Sequence, residues 1–171
     1  KGVCWSESPN PTELLTTKTN EGAGSASFSS SLTNLLPGTT YYYRAYATNS
    51  VGTGYGTEHS FTTASIGVPS VTTTAVTSPG LTSAVSGGTI TADGGASITA
   101  KGICWAISPT IPTVSLTTRT DEGPGMASFP SNLTNLTAGT TYNVRAYATN
   151  IAGTGYGDPI SFSTSPVEKP T

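Results

Sequence analysis

The chain carries almost the same stretch twice: residues 32–49 read LTNLLPGTTYYYRAYATN and residues 133–150 read LTNLTAGTTYNVRAYATN. In each copy a turn is followed by a run in which the side chains alternate in character, as they do along a β-strand. The arginine falls on one side of that strand in both copies, so the other side is predicted to face the core. The predicted core positions are Tyr41, Tyr43, Ala45 and Ala47 in the first copy and Tyr142, Val144, Ala146 and Ala148 in the second.

The repetition extends beyond this stretch and predicts two units. Residues 1–63 align with residues 101–164 across one small insertion near Ile111, and a repeat of about 100 residues is large enough for a core of its own. Only 9% of the 171 residues are charged, and Gly, Ser and Thr are abundant. This composition favours strands and turns over helices, and no helical periodicity occurs. We therefore expect an all-β protein.

The turn before the repeated strand has a specific spacing. Gly38 and Gly139 allow a sharp bend, and Tyr41 and Tyr142 follow three residues later. A tyrosine at this place can fold its ring inward and return its hydroxyl group to the backbone just upstream, which is the tyrosine corner of Greek-key sandwiches. The sequence thus predicts tandem Greek-key β-sandwiches.

Two motifs resemble a known family. Residues 35–49 follow the pattern Leu-x-Pro-Gly-Thr-x-Tyr-x-x-Arg-Ala-Tyr-Ala-x-Asn, which is similar to strands E to F of fibronectin type III domains. The opening KGVCWSESP of residues 1–9 resembles strand C of the variant found in tandem arrays of large secreted or surface proteins of Bacteroidota. The resemblance covers nearly the whole chain and implies fibronectin III or immunoglobulin-like sandwiches that serve as spacer, adhesive or filament-building units.

The resemblance also implies the domain organisation. Residues 1–64 correspond to strands C to G of an incomplete first domain that lacks strands A and B. The alternation of residues 126–136 predicts a strand there, and its counterpart in the first copy is residues 25–35. Residues 65–165 are a complete domain, whose strands A and B are assigned to residues 71–76 and 82–92. Residues 166–171 are interpreted as a linker and the start of a next repeat.

Two explanations of the incomplete first domain remain open. Either the chain is an excerpt of a longer array, or strands from a neighbouring chain complete the domain, as in donor-strand assembly. In both cases a lone chain exposes unpaired strand edges and apolar surface near Lys1. We therefore expect the isolated monomer to be unstable or to aggregate.

The two cysteines occupy equivalent places, Cys4 in Gly-Val-Cys-Trp and Cys104 in Gly-Ile-Cys-Trp. Equivalent positions in consecutive domains face equivalent surroundings, so a disulfide between them is not expected. We interpret both as buried, inert thiols in small core sites, which leaves the redox compartment open. The tryptophan of fibronectin strand B is absent here, so Trp5 and Trp105 are expected to anchor the core instead.

Residues that could support catalysis or metal binding are few. The one histidine, His59, repeats as Ile160, which indicates a surface or edge position rather than a catalytic base. No His, Cys and Asp residues have metal-ligand spacing. The pair Asp121-Glu122 is better interpreted as a solvated turn than as a calcium site. We expect a protein that is not an enzyme and binds no cofactor.

Charge and hydropathy argue against two classes of partner. The net charge of −2 leaves no basic patch to neutralise phosphates, so no nucleic-acid binding is expected. No apolar run approaches the roughly 18 residues needed to span a bilayer, so no direct membrane insertion is expected either.

The side of the repeated strand that faces away from the core is the candidate contact surface. Aromatic and arginine side chains are enriched at contacts, and flat tyrosine rings can stack on sugars. Three interpretations remain open: cross-strand pairs that simply cover the sheet, contact with neighbouring copies of the chain, and binding of surface glycans. The residues concerned are Tyr42, Arg44, Tyr46, Asn143, Arg145 and Tyr147.

These observations together predict a structural or adhesive repeat unit of an extracellular fibre, stalk or surface adhesin. Short proline-bearing segments such as residues 66–69 and 166–170 would limit rotation between domains and keep an array extended. The alternative is a pair of accessory or carbohydrate-binding spacer domains of a secreted polysaccharide-degrading enzyme.

Overall fold

The structure is a computed structural model that describes residues 1–169. In this range the chain forms strands and no helix. It divides into two compact units, Lys1–Ser65 and Ile66–Thr171, called here the first and second unit. The predicted linker ends with residues 170 and 171, which lie outside the described residues.

The first unit contains a single antiparallel sheet. Its strands are β1 (Gly2–Ser6), β2 (Thr40–Thr48), β3 (Thr53–Tyr55) and β4 (His59–Thr62). The central strand β2 pairs with β1 along one edge and with β3 and β4, one after the other, along the opposite edge. The alternation predicted for the repeated strand places Tyr43, Ala45 and Ala47 on one side of this sheet together with Val3 and Trp5 of β1.

The second unit contains a sheet like that of the first unit and also a second sheet. The strands are β5 (Ser70–Thr77), β6 (Ala84–Ala92), β7 (Ala100–Ile107), β8 (Phe129–Leu133), β9 (Thr141–Asn150), β10 (Gly153–Tyr156) and β11 (Ile160–Ser163). In the first of these sheets β9 is central, with β7 on one edge and β10 and β11 on the other, and the second sheet has the order β5-β6-β8. All pairs are antiparallel.

The two sheets of the second unit pack face to face as a β-sandwich. Close approach is possible because a glycine, Gly88 of β6, lies against Ala146 of β9: a Cβ atom at Gly88 would be 2.7 Å from that of Ala146. The predicted core side of β9 points into this layer. The buried cluster comprises Val71, Ala84, Ile90, Ile98, Ile103, Trp105, Phe129, Leu133, Leu136, Tyr142, Val144, Ala146 and Ala148.

A bulge interrupts the last strand of each unit. The amide of Gly56 donates a hydrogen bond to Ala45 O at 2.9 Å, and the amide of Gly157 donates to Ala146 O at 3.0 Å. The extra residues between these contacts separate β3 from β4 and β10 from β11. The same interruption in both units follows from the repeated Gly-Thr-Gly-Tyr-Gly sequence.

The prediction of an all-β protein with β-sandwich architecture is confirmed. One predicted strand is wrong, however: residues 25–35 form no strand, whereas the equivalent β8 does. In the second unit β8 obtains its hydrogen bonds from β6. No strand equivalent to β6 occurs among the described residues of the first unit, so the backbone of this segment has no partner and stays irregular.

Candidate functional site

The two faces of the first unit's sheet have different surroundings. One face is covered by the segment that connects β1 to β2, and we call it the loop-covered face. The connecting segment runs beside β1, where Trp5 N donates to Thr17 O at 3.0 Å and Thr19 N donates to Val3 O at 2.8 Å. The second unit repeats the pairing through Trp105.

Polar side chains of β2 and β9 fasten the connecting segment to the loop-covered face. Tyr46 Oη donates to Thr19 O at 2.7 Å, and Tyr147 Oη donates to Thr120 O at 2.6 Å. Both rings are buried, with 9% and 3% of their surface exposed. Burial raises the pKa of the Tyr147 hydroxyl group, so its ionisation becomes still less favourable.

The arginines of this face stack on a neighbouring tyrosine. The guanidinium carbon of Arg44 lies 4.0 Å from the ring centre of Tyr55, and Arg145 has the same distance to Tyr156. Arg44 Nε also donates to Pro11 O at 2.6 Å. Such stacking on an aromatic ring stabilises a cation that is partly withdrawn from water.

The candidate contact surface is consequently less accessible than its residue types suggested. Tyr46, Asn143 and Tyr147 are buried, which corrects the expectation that they are exposed. The physical reason is the connecting segment: the Asn143 side chain, for example, donates to Thr110 O at 3.0 Å. The three remaining members are half-buried, namely Tyr42, Arg44 and Arg145.

The two cysteines lie under the same connecting segments. Neither forms a disulfide, and both have no exposed surface. Cys4 Sγ donates to Pro11 O at 3.4 Å, and Cys104 Sγ donates to Arg145 O at 3.6 Å. Burial raises the pKa of Cys4 and raises that of Cys104 to about 11.

We expect both thiols to resist iodoacetamide in the native chain at pH 8. Since the pKa of Cys104 is about 11 when folded and 9.0 in its ordinary state, little thiolate forms at this pH, and the reagent does not reach the sulfur. The same raised pKa favours the folded state below pH 9 and ceases to do so as the pH rises through about 11. Mass spectrometry measures the label, and chain unfolded in urea provides the control. Rapid labelling of the native chain would contradict the burial.

The remaining structural residues line the other face of the sheet. Tyr41 Oη accepts a hydrogen bond from Leu36 N at 3.0 Å, and Tyr142 Oη accepts one from Thr137 N at 2.9 Å. This is the geometry of a tyrosine corner. Trp5 and Trp105 are each 7% exposed.

The face that bears Val3, Tyr43, Ala45 and Ala47 is called the open face. In the second unit every equivalent residue is fully buried: Ile103, Val144, Ala146 and Ala148 have no exposed surface. In the first unit Val3 and Tyr43 are half-exposed, and Ala45 and Ala47 are exposed. The sheet is thus the same in both units, and only its cover differs.

In the second unit, two glycines at the edge of the equivalent face lie in close contact with the backbone of another strand. A Cβ atom at Gly155 would lie 1.8 Å from Pro69 O, and one at Gly157 would lie 2.7 Å from Thr73 N. The backbone of β5 and of the residue before it therefore touches these glycines directly. At the equivalent Gly54 nothing lies within 4 Å.

Polar groups at this edge also have different hydrogen-bond partners in the two units. The Asn150 amide nitrogen donates to Gly67 O and to Asp93 O, both at 2.7 Å, and Asn150 is 4% exposed. Ala146 N donates to Thr73 Oγ1 at 3.0 Å. Among the described residues, the equivalent Asn49 amide nitrogen and Ala45 N have no such carbonyl or hydroxyl acceptor from outside the sheet.

The open face contains a cavity of about 260 Å³. Its walls include Phe28, Ala45, Ala47 and glycine backbone, together with the polar residues Lys1 and Ser25. The sequence pattern did not reveal this site, although two signals were available. Both copies have glycines at a spacing of two and an asparagine at the end of the repeated strand.

Within residues 1–169, the side chains that were considered for catalysis or metal binding do not come together in one site. His59 is exposed, but on the open face, whereas its counterpart Ile160 packs against the core. The repetition as isoleucine therefore marks the inner side of a sandwich. Asp121 Oδ1 accepts from Gly123 N at 2.9 Å within its turn. Across residues 1–169, no three His, Cys, Asp or Glu side chains come together to hold a metal ion.

No helix within the described range is both long and apolar enough to cross a membrane.

Solved structures with a similar fold are fibronectin type III and immunoglobulin-like domains. The chicken CNTN1 FN1-FN3 domains match 77% of this chain with 20% identity and a TM-score of 0.45. A three-domain crystal structure from titin matches 95% with 17% identity and a TM-score of 0.46. The chain spans 42% and 54% of these two structures, respectively.

A single domain gives a comparable match. The 6th fibronectin type III domain of human fibronectin type III domain containing protein 3 matches 61% of this chain and 87% of its own length, with 21% identity and a TM-score of 0.43. No protein-family model matches the sequence, and no curated protein sequence does.

Proposed function

We propose that this chain is part of a non-enzymatic, extracellular tandem-repeat protein, of the kind found on the surface of Bacteroidota, whose sandwiches are structural or adhesive units of a fibre, stalk or adhesin. Sandwich domains of this type are common in cell-surface proteins. They provide a rigid scaffold whose function depends on what each domain contacts.

The observation that carries the proposal is the repetition of one four-stranded sheet in both units, with the same strand order and the same pairing. A repeated sheet of this kind is a scaffold that can present similar surfaces many times along a chain. Contact with neighbouring copies of the repeat is the function that this repetition supports best.

Glycan binding has less support from the described residues. Stacking on a sugar needs an accessible tyrosine ring, and Tyr46 and Tyr147 are buried under the connecting segments. Only Tyr42 of that set retains part of its surface.

Immunogold electron microscopy of cells that express the full native protein tests the proposal. We expect label on extended structures outside the cell envelope, and negative staining of the purified protein is expected to show a row of domains. A cytoplasmic protein serves as the labelling control. Label confined to the cytoplasm, or a compact purified particle without an array of domains, would overturn the proposal.

A further inference from the structure

The second unit begins and ends with two segments that lie side by side. We call residues 66–80 the entering segment and residues 153–165 the leaving segment. At the start of the leaving segment, a Cβ atom at Gly153 would lie 3.3 Å from a side-chain carbon of Val68. The two segments therefore meet near the point where the chain enters the unit.

We propose that Thr73 is a mechanical clamp: its hydroxyl group holds the entering segment against the leaving segment and sets the resistance of the second unit to tension along the chain. This inference rests on the proposed role in a fibre, stalk or adhesin, in which such tension is expected, and it names the contact that bears the load.

The first step concerns the direction of the load. The ends of the two segments also meet, because the Ser165 amide donates to Gly80 O at 2.9 Å. The segments thus run in the same direction. Tension that reaches residue 66 from the preceding chain and residue 165 from the following chain pulls them in opposite directions along their length. The contacts between them are then loaded together by sliding, rather than opened one after another from an end.

The second step concerns the contact that opposes sliding. Thr73 Oγ1 accepts a hydrogen bond from Ala146 N at 3.0 Å and donates one to Asp158 O at 2.7 Å, within the bulge between β10 and β11. A Cβ atom at Gly157 would lie 2.5 Å from the same oxygen, so the bulge surrounds the hydroxyl group closely. Both partners are backbone groups fixed in the opposite sheet, and sliding of β5 therefore breaks both bonds at once.

The third step concerns the contacts on either side of Thr73. Towards the start of the entering segment, the Asn150 amide nitrogen donates to Gly67 O at 2.7 Å. Towards its end, Ser165 Oγ donates to Pro79 O at 3.0 Å, and this bond is exposed to water. Water can replace an exposed bond as it breaks, whereas the half-buried Thr73 lies between the two sheets. The central contact is consequently the one expected to limit sliding.

Optical tweezers can measure the lifetime of the folded second unit at constant tension. Handles are attached to the full chain through Ser65→Cys and Glu168→Cys, two exposed positions outside the two segments. The buried thiols of Cys4 and Cys104 are expected to stay unlabelled, which mass spectrometry checks. Complete unfolding of the unit releases about 350 Å of chain, so the length released shows that each variant was folded at the start.

Thr73→Val removes the hydroxyl group and keeps the size of the side chain. We expect it to shorten the lifetime under tension about tenfold, because two hydrogen bonds that oppose sliding are lost. Thr73→Ser retains the hydroxyl group and should restore most of the lifetime. The matched control is Thr72→Val, since Thr72 Oγ1 donates to Thr89 O of β6 and not to the leaving segment. This control should change the lifetime by less than about twofold.

A second pulling geometry separates a clamp from a general contribution to stability. Handles at Leu81→Cys and Glu168→Cys both lie at the end where Ser165 meets Gly80. Tension then opens the contacts one after another from that end and reaches Thr73 only after unfolding has begun. In this geometry Thr73→Val should change the lifetime by less than about twofold.

Any result other than a shortening confined to the end-to-end pull would overturn the inference. Equal shortening in both geometries would assign Thr73 to general stability, and no shortening in either would remove it from the load-bearing path. These outcomes are independent of the microscopy of the native protein, so failure of the clamp and failure of the proposed function are distinguishable.

Discussion

Gly155→Ala should destabilise the second unit by about 3 kcal/mol or more. A Cβ atom at this position would lie 1.8 Å from the Pro69 carbonyl oxygen and 2.8 Å from its carbonyl carbon. Both are backbone atoms of the residue just before β5, so the clash is relieved only if the start of this strand moves away from β10. Urea denaturation of chain labelled with fluorotryptophan measures the effect, since Trp5 and Trp105 give one fluorine NMR signal for each unit.

The matched control is Gly54→Ala in the first unit. Here the added methyl group meets nothing within 4 Å, and alanine restricts the unfolded chain more than glycine does. The unfolding midpoint reported by Trp5 is therefore expected to stay the same or rise slightly. Equal destabilisation by the two substitutions would show that the edge of the open face is covered in solution.

Leu133→Ala has the second large expected effect. Leu133 of β8 has no exposed surface and belongs to the core cluster of the second unit. Removal of a buried leucine side chain leaves a cavity in addition to the lost burial, and we expect about 3 kcal/mol of destabilisation. The change in the urea midpoint of the Trp105 signal measures it.

The equivalent Leu32→Ala substitution provides the comparison. Leu32 is half-exposed, and its segment forms no strand, so we expect a loss of less than about 1 kcal/mol. If the Trp5 signal shows the larger loss, residues 28–32 are packed as tightly as β8 and the description of an open face is incorrect.

The fold could be predicted from the sequence because the main signals of the fold are local. The spacing of Gly139 and Tyr142 predicts the corner, and the alternation from Tyr142 to Ala148 predicts the side that is buried. The internal repeat then transfers each assignment to the other copy. The strand predicted for residues 25–35 failed because a strand needs a partner, and alternation in one segment contains no information about whether that partner is present.

The surroundings of the candidate contact residues were harder to predict from the sequence. Tyr147 and Asn143 lie on the side that alternation assigns to solvent, and they are buried because the segment after β7 folds back over them. The alternation of side chains along a strand does not show whether another segment of the chain packs over one of its sides. The packing role of Gly155 and Gly157 depends on how closely β5 approaches them, and the local sequence does not report that distance.

The burial of β9 on both sides also limits how far its sequence can drift. Seven of its ten residues are buried, so a random substitution there meets either the sandwich core or the underside of the connecting segment. Within the repeated stretch the two copies differ in the strand only at Tyr42 and Tyr43, which are Asn143 and Val144 in the second copy. Low mutational tolerance is therefore expected of β9 but not of β2, where only two of nine residues are buried.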